Sequence, residues 1–457
     1  MENPAPTSPE LQAAATAAPS GDAAGRIAGT FRALGNRNFQ LFFSGQIVSL
    51  VGTWMQNVAE AWLLYRLTHS AALLGVLGFV AQVPIFLLSP LAGLAADRWP
   101  RRRVVIATQC ASMTLAFTLA TLTLTKHIGP EHLRTSTWEI IGLATLLGVV
   151  NAFDVPARQS FLIEMVGREN LLNAIALNSS MFNGARVAGP AIAGALVAWV
   201  GEGWCFLLNG LSYIAVITGL LLMRIAKTKP VHDGAAPLEK LREGFRFARS
   251  TKPIRTLLML LGLVSFVALP FSVLMPIFAV RILHGGASAY GWLMGAVGFG
   301  AMFGALAIAM RHQLRGLGNV VAYSAAGLGI SLVLFSGSRW FFLSFAILVV
   351  CGFTMMMQLT ATNTLIQAMV PDQLRGRVMA LYSMMFLGMT PLGSLVAGTL
   401  AEHIGAPATV ALGGLAACLG GVTFMRKWPA LRGPARELLT AQGMLAPPQT
   451  TEAGPPS

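Results

Sequence analysis

The feature that most constrains this 457-residue chain is a succession of apolar runs, each about twenty residues or longer and nearly free of charge, along most of its length. A helix needs about 20 apolar residues to cross the hydrocarbon layer of a bilayer, and it must satisfy its backbone polar groups within the segment. Twelve such runs can be delimited, at approximately 39–65, 71–95, 103–125, 138–157, 171–200, 203–223, 254–280, 286–310, 318–338, 340–366, 377–401 and 404–425. Composition points the same way. Only 11% of residues are charged, against about 25% in an ordinary soluble domain, which leaves too little polar surface to coat a water-soluble particle. The expected fold class is an all-α membrane protein of twelve transmembrane helices.

The formal charge of +14 could suit a nucleic-acid partner, since basic patches attract phosphate. The positive residues lie instead in short clusters at the ends of apolar runs. With the amino terminus placed in the cytoplasm, 26 Lys and Arg fall on that side and 5 on the other, with Arg186 inside a span. This asymmetry fixes orientation by the positive-inside rule, so both termini are expected in the cytoplasm and no nucleic acid is expected as partner. The longest loop then divides the chain into a disordered N-tail (1–36), a six-helix bundle (37–225), a linker with an amphipathic helix (226–253), a second six-helix bundle (254–428) and a disordered C-tail (429–457). In the linker, Leu238, Leu241, Phe245 and Ala248 recur at helical spacing opposite Glu239, Lys240, Arg242 and Arg246, as in a helix lying on the membrane surface.

Cys110, Cys205, Cys351 and Cys418 sit in separate apolar runs without metal-site or disulfide spacing. With no phosphate-binding G-x-x-x-x-G-K loop and no soluble catalytic domain, neither an enzyme nor a cofactor or metal is expected.

The two halves echo each other. Arg66, Leu67 and His69 followed by Leu74 and Gly75 correspond to Arg281, Leu283 and His284 followed by Tyr290 and Gly291, and Gly194 and Gly201 correspond to Gly398 and Gly405. Repeats related by an axis along the membrane normal place a cavity at their interface near mid-membrane. Polar residues inside the spans are candidates to line it: Gln46, Gln56, Asn57 and Glu60 in the first run, Asn178 and Asn183 in the fifth, and Gln358 and Asn363 in the tenth. Residues 46, 57 and 60 share one helical face. The amides could hold a substrate or pack helices together. A carboxylate shielded from water can load and release a proton near neutral pH, which makes Glu60 the leading proton-coupling candidate, with Asp154 and Arg186 beside it. An arginine at mid-membrane costs a few kcal/mol unless paired or hydrated. Arg186 is therefore expected to meet an acidic group on a substrate or on the protein, Glu60 or Asp154, or else backbone carbonyls.

The segment Gly93-Leu94-Ala95-Ala96-Asp97-Arg98-Trp99-Pro100-Arg101-Arg102-Arg103 resembles motif A of the major facilitator superfamily, G-x-x-x-D-R-x-G-R-[RK], with Pro100 in the usual second glycine position. By that resemblance Gly93, Asp97, Arg98, Arg101, Arg102 and Arg158 form a latch, in which Asp97 holds the start of the eleventh span near Gly376 when the protein faces outward. Gly184, Gly189, Pro190 and Gly194 resemble, in part, the antiporter motif C of drug and metabolite exporters; a plain packing seam is the alternative. The run from Asp154 through Pro156, Ala157, Arg158 and Gln159 to Arg186 resembles the branch that includes the enterobactin exporter and the transmembrane secretion effectors. The resemblance implies a monomeric secondary transporter in the bacterial inner membrane. It would export a small amphiphile, a siderophore or a drug-like compound, with protons as coupling ion; an importer or lysophospholipid translocator of the same fold is the alternative.

Overall fold

The computed structural model describes residues 32–224, 237–311 and 313–444, apart from the side chains at 90, 94–97, 168, 172 and 237–241. Ten helices among them are long and apolar enough to cross a membrane. Two more, α1 (Arg37–Thr68) and the second arm of Leu133–Val200, have the length but carry more polar residues. The protein is thus an all-α membrane protein of ten to twelve spans.

The first half comprises α1, α2 (Ala71–Arg98), α3 (Arg101–Leu124), a continuous helical segment Leu133–Val200, and α6 (Glu202–Leu222). Leu133–Val200 divides at Gly167, whose φ of 71° is open to glycine at little cost, into α4 (133–166) and α5 (168–200). Helix α7 (Pro237–Ser250) leads into the second half: a span Lys252–Ile282 that opens with α8 (Lys252–Val267), then α9 (Ala287–Ala309), α10 (Leu317–Gly337), α11 (Phe341–Met369), a span Asp372–Ile404 called α12, and α13 (Ala406–Ala441). Pro270 and Pro276 lie where Lys252–Ile282 departs from α-helical geometry, as expected where the backbone lacks an N–H donor. The internal repeat is visible in the backbone. His69 and His284 share a φ of 52°, and Gly201 and Gly405 share φ near 90° and 84° with extended ψ.

Three expectations need correction. Helix α4 runs well past residue 157, because the charges that end the apolar run are paired: Arg158 with Asp154 four residues earlier, and Glu164 with Arg101 at 2.7 Å. The C-tail is not disordered from 429, since α13 continues to Ala441 and buries Trp428, Leu431, Ala435 and Leu439. At the other terminus, the part of the expected N-tail that is described, Arg32–Gly35, is a short 3₁₀ helix, with Ala33 fully buried and its N–H donated to Asn173 at 2.9 Å. Residues 1–31, 225–236 and 445–457 lie outside the described residues. The described part of the linker, α7, packs on the second half, where Ala248 is buried, Glu243 pairs with Arg377, and Phe245 stays exposed.

The halves join along two antiparallel helix pairs, α2 with α12 and α5 with α9, with a smaller contact between α1 and the Lys252–Ile282 span. Small residues permit this approach. A Cβ on Gly75 would lie 2.6 Å from the Ser394 carbonyl oxygen and 2.8 Å from the Gly398 Cα, and one on Gly291 would lie 2.5 Å from the Pro190 carbonyl oxygen. These contacts belong to the end opposite the basic clusters, where Trp62 stacks on Tyr290 at 6.1 Å and residues of both halves share one core. At the basic end a separate core, containing Phe39, Phe42, Val105, Phe161 and Leu177, is made from the first half alone. A Cβ at Gly93, Gly184 or Gly376 would meet nothing within 4 Å there. The halves therefore close at one end and part at the other.

Candidate functional site

The closed end is held by polar contacts across the seam as well as by packing. Glu402, near the end of α12, accepts hydrogen bonds from the Ala72 N–H at 3.0 Å and the Ser70 hydroxyl at 3.1 Å, at the start of α2. A carboxylate there suits the unsatisfied N–H groups and positive dipole end of the helix. Arg281 donates to the His69 carbonyl at 3.3 Å and lies 6.0 Å from the Tyr65 ring centroid. Arg66 forms an ion pair with Glu202 at 2.7 Å within the first half.

Of the motif A residues, Asp97 has a side chain outside the described set, so its latch contact lies outside the description too. Arg98 is exposed. Arg102 caps the end of α6 through the carbonyls of Leu220 and Leu221, both at 2.9 Å. The two cations expected to serve Asp97 are engaged elsewhere: Arg101 with Glu164, and Arg158 with Asp154. Asp154 is almost wholly buried and also accepts from the Thr108 hydroxyl at 2.8 Å and Gln109 Nε2 at 2.9 Å. Its charge is balanced locally and it is not a partner of Arg186.

Glu60 is buried, and its Oε1 has no hydrogen-bond partner. It stands two residues before Trp62, hence about 160° round the helix from the side that meets Tyr290. Of the polar face expected to line the cavity, Asn57 is exposed while Gln46 and Glu60 are buried. Gln56 is likewise internal and accepts from Asn209 Nδ2 at 2.6 Å. Asn209 was missed in the sequence; an isolated amide in an apolar run needs a partner, and that was the available signal.

Arg186 sits where α5 meets both α1 and α9. Its backbone is pressed against α9, since a Cβ on Gly298 would lie 2.6 Å from the Arg186 carbonyl oxygen. Its guanidinium lies 5.8 Å from the Trp54 ring centroid, and Phe182, one turn earlier, meets Trp54 edge-on at 5.7 Å. Among the described residues it forms no ion pair and no hydrogen bond. The motif C glycines divide their tasks: Gly189 lets α5 approach Trp54 of α1, Gly194 lets it approach Gly291 of α9, and Gly184 faces open space. Asn178 is half-buried, and Asn183, also half-buried, donates to the Ser179 carbonyl at 2.8 Å. In the second half Gln358 is fully buried with an unpartnered Oε1, while Asn363 accepts from Gln367 at 2.5 Å.

Two helical halves packed at one end around a seam of small and polar residues are the arrangement of the major facilitator fold, and the match of the chain to a family of that fold makes it a secondary transporter. The chain belongs to the transmembrane secretion effector family, whose sequence pattern matches residues 28–448. It is 26% identical to the staphyloferrin A transporter of Staphylococcus aureus over 82% of this chain and 92% of that one. It is 25% identical to the enterobactin exporter EntS of Citrobacter koseri over 85% and 91%. In structure it resembles a bacterial homologue of the iron transporter ferroportin in an inward-facing state, with a TM-score of 0.66 at 15% identity, covering 85% of this chain and 98% of that one. That likeness concerns the fold.

Proposed function

We propose that this transporter exports a small amphiphilic molecule from the cytoplasm by alternating access, in exchange for protons. The observations that carry this reading are the pairing of a closed end with a parted one and, beside it in α1, Glu60, a carboxylate buried without a partner for its Oε1. A group of that kind changes its proton occupancy when the bundle around it opens or closes, which couples protonation to conformation. The excess of Lys and Arg at the parted end supports a cytoplasmic location for that end and for both termini, so the state described faces inward. The enterobactin exporter among the relatives supports outward movement of a siderophore-like cargo. The site of transport lies in the bacterial inner membrane, with the motif A latch around Asp97 forming when the basic end closes.

The test has two stages. Comparing metabolites in medium and cytoplasm between cells with and without the protein identifies a cargo and its direction. Inside-out vesicles acidified by respiration should then lose protons when that cargo is added, and Glu60→Gln should abolish the loss while leaving the protein inserted. Cargo accumulating outside cells that lack the protein, or proton release that survives Glu60→Gln, would refute the export or the coupling assignment respectively.

A further inference from the structure

We propose that the cargo is an anion, whose carboxylate or equivalent acidic group is received by Arg186 beside the paired rings of Trp54 and Phe182; this rests on the transport reading above. The inference begins with charge matching. Among the described residues, two arginines in the interior of the first half are compensated, Arg158 by Asp154 and Arg101 by Glu164. Arg186 is the exception among its cations. Glu60 forms no ion pair with it, and Asp154 is engaged by Arg158, Thr108 and Gln109. What Arg186 has is the face of Trp54, a contact that leaves the N–H donors of its guanidinium without an acceptor among the described residues. The deficit is made good when an anion arrives, and a guanidinium binds a carboxylate through two parallel hydrogen bonds.

Position supports the same conclusion. The close glycine contacts between α5 and α9 run from Gly194 and Gly291 down to Arg186 and Gly298, and Gly184, two residues before Arg186, meets nothing. Arg186 thus stands where the seam opens into the parted space, within reach of a molecule entering from the basic end. Beside it is an exposed ring, Phe182, and one turn away along the same helices are two amides, the exposed Asn57 after Trp54 on α1 and the half-buried Asn183 before Arg186 on α5. One cation, flat apolar surface and neutral hydrogen-bonding groups suit a planar acid with additional polar substituents, whereas a cationic drug would meet a like charge.

The purified, detergent-solubilised protein can be titrated with two small probes of the same shape, 1-naphthoate and its uncharged amide, 1-naphthamide, with binding followed by calorimetry. The wild type should bind the acid about tenfold more tightly than the amide, the difference made by one charge-assisted hydrogen-bonded contact. Arg186→Gln should bring the two probes level, Arg186→Lys should keep part of the preference, and Trp54→Leu should weaken both. A wild type that binds the two probes equally, prefers the amide or binds neither, or an Arg186→Gln protein that keeps the preference, overturns the proposal. Transport and proton exchange do not enter this measurement, so its failure leaves the export reading to its own test.

Discussion

Replacing Glu402 with alanine should loosen the closed end without unfolding it. The carboxylate supplies two hydrogen bonds across the seam, to Ala72 N–H and the Ser70 hydroxyl, and both are exposed. Ser70 separately accepts from the Leu73 N–H at 3.3 Å, so the first turn of α2 keeps a cap of its own. The loss therefore falls mainly on the joint between the halves. A capping interaction is worth about 1 kcal/mol, which moves a two-state ratio about fivefold. Hydrogen exchange read by mass spectrometry on the protein in lipid nanodiscs can follow this. Glu402→Ala should speed uptake at the closed ends of both α2 and α12 and slow it at their basic ends, as the population shifts toward the state closed at the other side. Uptake that changes only over the first turn of α2, or not at all, would mean that Glu402 caps a helix and does not hold the halves together.

Other substitutions test separate parts of the structure. Asp154→Asn leaves the half-buried Arg158 without its charge partner and should lower stability by up to about 3 kcal/mol, seen as an earlier thermal unfolding transition in detergent; Asp154→Asn combined with Arg158→Gln should recover part of the loss. Gly291→Ala should stop α5 and α9 from closing at this end, because its Cβ would meet the Pro190 carbonyl, whereas Gly184→Ala, with open space around it, should leave that closure intact; equal hydrogen exchange at the closed ends of α5 and α9 in the two variants would refute the seam. Asp97→Asn should slow turnover of inserted protein and favour the state that opens the basic end, and adding it to Glu402→Ala should return the exchange pattern toward that of the wild type.

The spans were legible because a bilayer demands the same thing of each of them: length, apolarity and charge only at the ends. Helix ends were less legible where they leave the lipid. Arg158 ends an apolar run but not a helix, since Asp154 stands one turn away to neutralise it, and that i, i+4 spacing was readable in advance. Partner choice was harder. Arg101 was expected to serve Asp97 and instead binds Glu164, 63 residues on, a pairing that only the approach of α3 to α4 creates. Glu402 drew no attention because a carboxylate at the end of a span reads as a solvated one; its meaning depends on α2 beginning beside it. Arg186 was conspicuous from the cost of its charge, but only the packing shows that the acids nearest in sequence form no ion pair with it.

On the alternating-access proposal, the helix pair α2 and α12 gives a reason why switching between the two states need not be costly. At the closed end, a carboxylate of α12 caps the start of α2. At the basic end, the motif A resemblance assigns the converse, a carboxylate of α2 at the start of α12. The helices are antiparallel, so each offers its amino-terminal N–H groups at the end where the other carries its acid. A rocking motion that breaks one cap can form the other, and both are of the same kind and of similar magnitude, about 1 kcal/mol. Such a pair biases neither state strongly, and leaves the balance within reach of one proton or one bound cargo, since a ligand shifts an equilibrium only by its differential affinity for the two states. Strong closure at one end alone would demand more from the cargo than a single guanidinium contact at Arg186 supplies.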